Sequence, residues 1–404
     1  MKKKKDVLFL CQFFYPEYVS SATLPFDTAV ALKNAGYSVD ALCGYPHEYS
    51  LKENLPRKDN QDGIGIHRVS YIQLNRSKPI SRIINYFSFT FKMFLHIFEM
   101  AKYKVIIVYS NPPILPWIAS WAKKLFKSKL IFVAYDLYPE IAVKTHSLKD
   151  GNIICKLMNH INKKVFACAD QVVALSSEMK EYVENHRQIE SNKIVVIPNW
   201  YKDEGLGTRS SEDNIFHAKY DGKFVVSYMG NLGTCQDLDT ILDAIRLLRD
   251  DTSVQFLFSG HGNKMEMLKD VAHKENLTNV SVYSFLFDKD YTDALQISDC
   301  ALVSLCQGIT GLCVPSKTYA YMMQGIPLIV IMGESDITND AVAGAGIQIR
   351  NGDAKDLVSA INDMKNNPLA QTKMRQKSRE IYLEKYSTEI ATDQYVMLIK
   401  NLEM

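Results

Sequence analysis

The chain has 404 residues, of which 47% are hydrophobic, and a formal net charge of +2. This length exceeds what one hydrophobic core usually serves and predicts two globular domains, while the small net charge disfavours a nucleic-acid partner because it provides no broad positive field. The eight cysteines are scattered, with no C-x-x-C pair and no histidine at zinc-like spacing, which indicates free thiols in a reducing compartment and argues against a metal site.

The N-terminus combines four lysines with a short apolar run, a pattern that superficially resembles a signal peptide. The run, at 7–13, is too short and continues into Tyr15-Pro16-Glu17 without a small-residue cleavage site, so we interpret it as the first buried strand of a cytoplasmic protein. Further apolar runs bounded by turn residues predict strands at 38–43, 105–109, 130–134, 171–175 and 194–197. Amphipathic segments of helix length separate them, which is typical of a parallel sheet with helices on both faces.

A polar stretch at 202–214 interrupts this pattern and predicts a linker. After it, apolar runs at 224–228, 254–259, 280–283, 301–305 and 328–331 predict a second sheet of the same kind. The sequence therefore predicts an α/β protein with two doubly wound, Rossmann-like domains. Ligands of such domains bind at the carboxyl ends of the strands, so we expect the site in the cleft between the two.

The segment 79–100 is unusually apolar. Its polar residues recur every three or four positions and form one narrow helical stripe, which argues against a membrane span; they are Arg82, Asn85, Ser88, Lys92, His96 and Glu99. Such a helix is either packed in the first domain or docked at a membrane surface.

Three glycine-containing turns follow predicted strands of the second domain. In the first, the strand ends at Gly230-Asn231-Leu232-Gly233 and a helix follows, so backbone N–H groups can approach an anion closely. The second turn contains Gly260. Either turn is equally well explained as an ordinary tight connection between a strand and a helix.

The third turn, at 308–325, is more informative. Pro315 marks a helix start, Ser316 lies near the cap, and Lys317 falls in the first turn. A cation is unfavourable at a helix N-terminus, so Lys317 is best explained by an anion such as a diphosphate bound beside it; a solvated lysine is the alternative.

These turns, in this order and followed by Gly325-Ile326-Pro327, resemble the donor-binding half of family-four glycosyltransferases. The resemblance extends over nearly the whole chain through further short motifs: Phe14-Tyr15-Pro16-Glu17, Asp136-Leu137-Tyr138-Pro139-Glu140, Leu175-Ser176-Ser177-Glu178-Met179, Ile197-Pro198-Asn199-Trp200 and Tyr386-Ser387. The most similar members assemble bacterial capsule, O-antigen and exopolysaccharide repeat units, including fucosamine-type and colanic-acid-type transferases.

The resemblance implies a GT-B fold, with an acceptor-binding domain at 1–200, a donor-binding domain at 215–384 and a last helix at 385–404 that returns to the first domain. It implies a donor site formed by Gly230, Asn231, Gly233, Gln236, Gly260, Leu286, Pro315, Ser316 and Lys317. It also implies acceptor contacts from Tyr15, Pro16, Glu17 and Asn199, and catalytic roles for Asp136, Glu140 and Lys317.

The chain departs from the family pattern at four positions. Many members carry a Glu-x7-Glu pair where this chain has Leu312 and Ala320, and the second glutamate normally holds the ribose. Members also often carry Arg and Lys where this chain has Asn231 and Gln236, although the repeat-unit transferases share this departure. The resemblance implies a metal-independent enzyme without a cofactor, in which Lys317 replaces the cation.

For several of these residues the sequence allows both a functional and a structural role. Asp136 and Glu140 follow the fourth strand. They either bind acceptor hydroxyls or stabilise an oxocarbenium-like transition state. Asp136 has a further alternative role as the cap of the next helix. Asn199 and Trp200 either pack in the protein or contact the substrate. His47 is either an ordinary loop residue or a catalytic base.

The expected function is therefore a retaining transfer of a hexosyl or N-acetylhexosaminyl group. We expect the donor to be a UDP-linked nucleotide-sugar and the acceptor to be a polyprenyl-diphosphate-linked saccharide of a bacterial surface polysaccharide. This acceptor places the enzyme at the cytoplasmic membrane face without a span of its own. A catalytically silent GT-B subunit that stabilises an active partner is the main alternative, and a nucleotide-sugar epimerase is another.

Overall fold

The computed structural model describes residues 4–46, 50, 54–75, 79–206 and 213–403; His47 and part of the expected linker lie outside the described residues. The chain forms two compact units. The first comprises Met1–Asn199, Gly311–Val314 and Thr388–Met404, and the second comprises Trp200–Thr310 and Pro315–Ser387. Each unit has a parallel sheet covered by helices.

The described residues of the first unit form an eight-stranded sheet in the order β3-β4-β2-β1-β5-β6-β7-β8. The strands are β1 (Lys5–Cys11), β2 (Val39–Gly44), β3 (Lys58–Gln61), β4 (Ile64–Val69), β5 (Tyr103–Tyr109), β6 (Lys129–Ala134), β7 (Gln171–Ala174) and β8 (Ile194–Val196). Neighbouring strands are parallel except β3, which is antiparallel to β4. The six strands expected from apolar runs are confirmed, and β3 and β4 at the sheet edge are additional.

Helices of the first unit connect these strands: α1 (Ser20–Asn34), α2 (Pro79–Leu95), α3 (Leu115–Phe126), α4 (Glu140–Lys144), α5 (Ile153–Cys168) and α6 (Ser177–Arg187). A 3-10 turn at Ile97–Lys102 joins α2 to β5. The central strands carry apolar side chains on both faces, and Val7, Phe9 and Ile107 are fully buried because helices cover both sides of the sheet.

The second unit has a sheet of six described strands, all parallel, in the order β11-β10-β9-β12-β13-β14. The strands are β9 (Phe224–Asn231), β10 (Val254–His261), β11 (Val280–Tyr283), β12 (Cys300–Ser304), β13 (Leu328–Ile331) and β14 (Gly346–Ile349). The helices are α7 (Leu238–Leu247), α8 (Asn263–Lys274), α9 (Asp288–Gln296), α10 (Lys317–Met323), α11 (Asp336–Asp340), α12 (Ala354–Asn366) and α13 (Pro368–Lys385). The expected strands are confirmed, and β14 is additional.

Two segments cross from the second unit to the first along the chain. The last helix, α14 (Thr388–Glu403), packs against α1 in the first unit. The short segment Gly311–Val314 also belongs to the first unit, where the backbone N–H of Leu137 donates to the carbonyl of Leu312 at 2.9 Å and Asp136 forms a β-bridge with Cys313.

The apolar helix α2 packs only one face in the first unit. Asn85, Phe89 and Met93 are buried, and Asn85 exchanges hydrogen bonds of 2.8 Å with the backbone of Leu74. The expected polar stripe therefore partly faces the protein, and many apolar side chains point away from it. Among the helices within the described residues, none is long and apolar enough to cross a membrane.

Candidate functional site

The first glycine turns of the second unit bring two strand ends into close contact. The register pairs Gly260 of β10 with Gly230 of β9, and a Cβ atom at Gly260 would lie 2.0 Å from the Gly230 carbonyl oxygen. Gly262 meets the Leu232 carbonyl in the same way, at 2.3 Å, and all three glycines have positive φ angles. Gly260 and Gly262 therefore allow adjacent backbone segments to approach where any side chain would clash, and Gly230 is favoured by its positive φ angle.

The turn after β9 is closed by its own side chains. The Gln236 side-chain carbonyl accepts a 2.7 Å hydrogen bond from the N–H of Gly233, and Asp237 caps α7 by accepting from the N–H of Thr240 at 3.1 Å. Gln236 is buried, whereas Asn231 at the turn is exposed. Gln236 thus shapes the loop, and Asn231 presents a polar group on its surface.

Lys317 reaches back from the start of α10 over this turn. Its Nζ donates to the hydroxyl of Tyr228 at 2.5 Å and to the carbonyl of Asn231 at 3.3 Å. The ammonium also lies 4.1 Å from the centre of the Tyr228 ring, a cation–π geometry. Its Cε is the nearest atom to a Cβ built at Gly230. The predicted cation and the predicted glycine turn are therefore adjacent.

Leu286 is held near the same edge by a serine that sequence reasoning missed. The buried Ser259 hydroxyl donates to the carbonyl of Ser284 at 2.8 Å and accepts from the N–H of Leu286 at 3.2 Å. Ser259 precedes Gly260, so one strand end both contacts β9 and fixes the loop after β11. A serine at the end of an apolar run was the available signal.

Lys264 is a second cation at this edge. It lies in the first turn of α8, and its Nζ donates to the backbone carbonyl of Gln236 at 2.5 Å. The Cys306 sulfur is 3.7 Å away. The argument applied to Lys317, that a cation in the first turn of a helix is unfavourable without an anion, applies equally to Lys264 and would have identified it.

The residues around Lys317 have structural partners. Pro315 is buried, and its carbonyl accepts the Thr318 hydroxyl at 2.8 Å. Ser316 occupies the N-cap position of α10, but its side chain does not cap the helix. Leu312 and Ala320, the positions of the family glutamates, are each 1% exposed and lie in hydrophobic cores. Neither position therefore offers a polar group to a ribose.

In the first unit, Asp136 has a carboxylate in an unusual environment. It follows β6, and the Ser110 hydroxyl accepts hydrogen bonds from the N–H groups of Tyr135 and Asp136 at 3.0 and 3.1 Å. Burial raises the pKa of Asp136 from its ordinary value of 3.8 to about 6. Helix α4 begins later, and its N-cap is Pro139 without a side-chain cap, so the alternative role of Asp136 as a cap is wrong.

Glu140 is paired with a cation. Arg187 of α6 donates to one Glu140 carboxylate oxygen and lies over the ring of Phe166, with its guanidinium carbon 5.7 Å from the ring centre. The second carboxylate oxygen of Glu140 is buried and has no hydrogen bond in the described part of the chain. Glu140 therefore connects α4 to α6.

The expected acceptor residues lie at the ends of strands in the first unit. Arg68 of β4 is fully buried and donates to the Tyr15 carbonyl at 3.1 Å and to the Asp59 carboxylate at 3.1 Å, so it fixes the loop that carries Tyr15, Pro16 and Glu17. The Tyr15 ring stacks on Phe26. Sequence reasoning missed Arg68 because β4 was not predicted.

Asn199 closes the first unit after β8. It is buried, and its side-chain oxygen has no hydrogen-bond partner within the described residues. A buried acceptor without a donor is costly, so such a group is a reasonable candidate for ligand contact.

One group within the described residues offers metal-type ligands. The donor atoms of His67, His96 and Glu99 lie within 4.8 Å of one another. Each histidine Nδ1 is hydrogen-bonded to a different Glu99 oxygen, at 3.0 and 2.8 Å. Burial raises the pKa of Glu99, but these two hydrogen bonds outweigh it and leave the pKa below its ordinary value. The three side chains thus satisfy one another without an ion.

Comparison with known proteins matches both units to family models. Residues 26–200 match the model described as a glycosyl transferase 4-like domain. Residues 210–381 match the model described as glycosyl transferases group 1. Together the two models extend over most of the chain. The chain belongs to the family-four glycosyltransferases. Its eight cysteines are free thiols; four are buried as expected, whereas Cys168, Cys235, Cys306 and Cys313 are partly exposed.

Two relatives of this glycosyltransferase are from bacteria. WbjE of Pseudomonas aeruginosa, described as a probable glycosyltransferase, is 26% identical over 258 residues, which are 63% of each chain. WcaI of Escherichia coli K12, described as a colanic acid biosynthesis glycosyl transferase, is 22% identical over 205 residues, or 48% of this chain and 47% of WcaI. The similarity therefore spans less than two thirds of either relative's own length.

The fold is also found among solved structures. Anabaena HepE, solved in complex with UDP-glucose, superposes on 98% of this glycosyltransferase with a TM-score of 0.72, and the similarity covers 100% of the HepE chain. The two sequences are 14% identical, so the likeness concerns the fold. The expected GT-B fold, with two Rossmann-like parallel-sheet domains, is confirmed.

Proposed function

We propose that this glycosyltransferase is a retaining enzyme that transfers a sugar from a UDP-linked donor to a lipid-linked saccharide during synthesis of a bacterial surface polysaccharide. The observation that carries the donor assignment is the Lys317 ammonium, held over the Gly230 turn by Tyr228 and Asn231. The description of WcaI supports the polysaccharide, and the UDP-glucose complex of HepE supports the nucleotide.

The donor site uses main-chain N–H groups and lysine in place of a metal ion and needs no cofactor. Departure of UDP leaves negative charge on the diphosphate, and a fixed ammonium stabilises that charge more in the transition state than in the bound donor. Lys317 is already oriented by its hydroxyl and carbonyl partners, so little reorganisation is needed when the diphosphate binds. In this proposal the base lies beside Leu286, which Ser259 holds in place, and Gln236 keeps the diphosphate turn closed.

The acceptor site lies in the first unit. Retention proceeds by a front-face displacement in which the donor phosphate takes the acceptor proton, so the protein mainly positions the reactants. Asp136 is suited to hold an acceptor hydroxyl or to face the positive charge that develops on the sugar. Glu140, paired with Arg187, acts as a positioning residue. Tyr15, Pro16, Glu17 and Asn199 line the acceptor.

The transferred sugar is an N-acetylated or deoxy-amino hexose, as in the repeat-unit transferases that the sequence resembles. The acceptor is a polyprenyl-diphosphate-linked saccharide. Because Leu312 and Ala320 are buried and apolar, the ribose is held by other groups than the usual glutamate.

Calorimetric titration with UDP and with GDP tests the donor assignment. We expect micromolar UDP binding that Lys317→Ala weakens at least about tenfold, because a buried diphosphate loses its cationic partner. Lys355→Ala, an exposed lysine of α12, is the matched control and should leave the affinity unchanged. Absence of binding to either nucleotide by the folded wild-type protein would overturn the proposal in favour of a catalytically silent subunit.

A further inference from the structure

The outward face of helix α2 carries a broad stripe of apolar side chains. Its exposed side chains recur at three- and four-residue intervals and occupy about one third of the helix circumference; they are Ile80, Ile83, Ile84, Phe87, Phe91, Phe94 and Leu95. Phe87 and Phe91 are 59% and 60% exposed. The opposite face, with Phe89 and Met93, packs in the first unit. The helix thus buries one face and exposes another that is equally hydrophobic.

Neighbouring elements extend this face. Phe98 of the 3-10 turn is 75% exposed, and Leu125 of α3 is 63% exposed. The Phe94 ring lies 5.9 Å from the ring of Trp121, which is also on α3 and exposed. We call the seven α2 side chains together with Phe98, Trp121 and Leu125 the apolar surface. Contiguous exposed apolar patches of this kind mark interaction sites.

The chain segment that carries the apolar surface is strongly basic. Between residues 79 and 127 the sequence contains seven Lys and Arg residues and a single acidic residue, Glu99. That acid is bound by two histidines. The basic side chains that the structure shows exposed in this segment, apart from Lys104, are Arg82, Lys92, Lys102, Lys124 and Lys127. An apolar face with a basic surround is complementary to a surface that is both negatively charged and able to take up aromatic side chains.

We propose that the apolar surface docks on an anionic lipid membrane, with α2 lying in the plane of the interface. The basic residues match acidic headgroups, and the phenylalanines match the boundary between headgroups and acyl chains. A second copy of the chain fits less well, because two basic surrounds would repel each other. Interfacial docking also agrees with the length of α2, which has 17 residues and carries Arg82 and Lys92.

Two polar contacts fix the docking helix. Asn85 binds the Leu74 backbone near the start of α2, and Glu99 binds His67 of β4 just after its end. The apolar surface is therefore presented by a helix anchored at both ends. The inference goes beyond glycosyl transfer and does not depend on the donor or the acceptor.

Flotation with lipid vesicles, without nucleotide or sugar, tests the inference. The probe is phosphatidylcholine with or without roughly 30% phosphatidylglycerol. We expect wild-type protein to float with the anionic vesicles, and the Phe87→Ser/Phe91→Ser variant to partition at least about tenfold more weakly. The matched control is Leu247→Ser/Leu369→Ser, which removes two exposed apolar residues of the second unit and should bind as the wild type does.

A charge variant tests the contribution of the basic side chains to membrane binding. Arg82→Gln/Lys92→Gln should weaken binding to anionic vesicles about tenfold or more, whereas Lys355→Gln/Lys373→Gln in the second unit should not. The replaced side chains are exposed, so each variant should keep the wild-type melting temperature and UDP affinity. Failure of wild-type protein to bind anionic vesicles, or equal binding by the phenylalanine variant, would overturn the inference. A dimer that forms without lipid and is lost in that variant would also overturn it, by assigning the surface to a second copy.

Discussion

Replacement of Asp136 by Asn should make the protein more stable at neutral pH while lowering its activity. The folded pKa of Asp136, about 6, lies above its ordinary value of 3.8 because burial disfavours the charged carboxylate. Below about pH 4 Asp136 is protonated in both the folded and the unfolded state, so its burial does not lower the free energy of unfolding. As the pH rises towards 6, only the unfolded state ionises, so stability falls with rising pH and the full cost is present above pH 6.

The difference between 3.8 and about 6 corresponds to about 3 kcal/mol. Because the residue is partly exposed, we expect Asp136→Asn to raise the free energy of unfolding by about 1–3 kcal/mol at pH 8 and by close to zero at pH 4. Urea unfolding followed by tryptophan fluorescence measures this in the first unit, which contains Trp117 and Trp121. A Trp200→Phe background removes the signal of the second unit.

The same variant should transfer sugar at least about tenfold more slowly, because an amide carries no charge to hold a hydroxyl or face a developing cation. Wild-type activity should also fall as the pH drops below about 6, and this limb should disappear in Asp136→Asn. Lower stability of the variant at every pH would refute the reasoning, because it would mean that the carboxylate has a stabilising partner. Unchanged turnover of the variant would show that Asp136 is not a catalytic residue.

Four further substitutions, one of them a control, separate structural from functional contacts. Gly260→Ala places a Cβ 2.0 Å from a backbone oxygen and should cost more than about 4 kcal/mol or abolish soluble expression. Gly36→Ala, with a positive φ but open space, should cost about 1 kcal/mol in the same thermal-melting assay. Arg68→Met should lower the free energy of unfolding in urea by about 3 kcal/mol, because the carbonyls of Pro56 and Tyr15 and the carboxylate of Asp59 lose their buried donor. Ser110→Ala should cost about 1–3 kcal/mol by leaving two N–H groups unpaired and should slow turnover through Asp136, which kinetics and melting measure separately.

Much of the fold was predictable because strands that are buried on both faces appear in the sequence as continuous apolar runs. The run at 328–331 coincides with β13, whose four residues are all buried. The edge strand β3 was not predictable in this way, since its residues, Lys58 to Gln61, are polar, and β4 alternates buried and partly exposed positions. Their absence from the prediction also concealed Arg68, whose role depends on three segments that meet only in the folded chain.

Individual candidate residues were predictable where backbone geometry restricts the sequence. Gly260 is required by the contact between two strand ends, and Gly230 is favoured by its positive φ angle. Gln236 was expected at the donor, and the structure shows its carbonyl bound within its own loop. The partners of Ser259 and Lys264 lie far away in sequence, at positions 284–286 and 236, so only the fold shows what these two residues hold in place.

Helix α2 shows why a helical pattern alone did not decide between core and membrane surface. Periodicity identified a polar stripe, and a polar stripe normally faces water. Here Asn85 turns it towards the protein, because its amide satisfies both the N–H and the carbonyl of Leu74. That pairing leaves the opposite apolar face outside, where water is an unfavourable neighbour for Phe87 and Phe91. The two alternatives are therefore not exclusive, since one face of the helix packs in the unit and the other is available to a membrane.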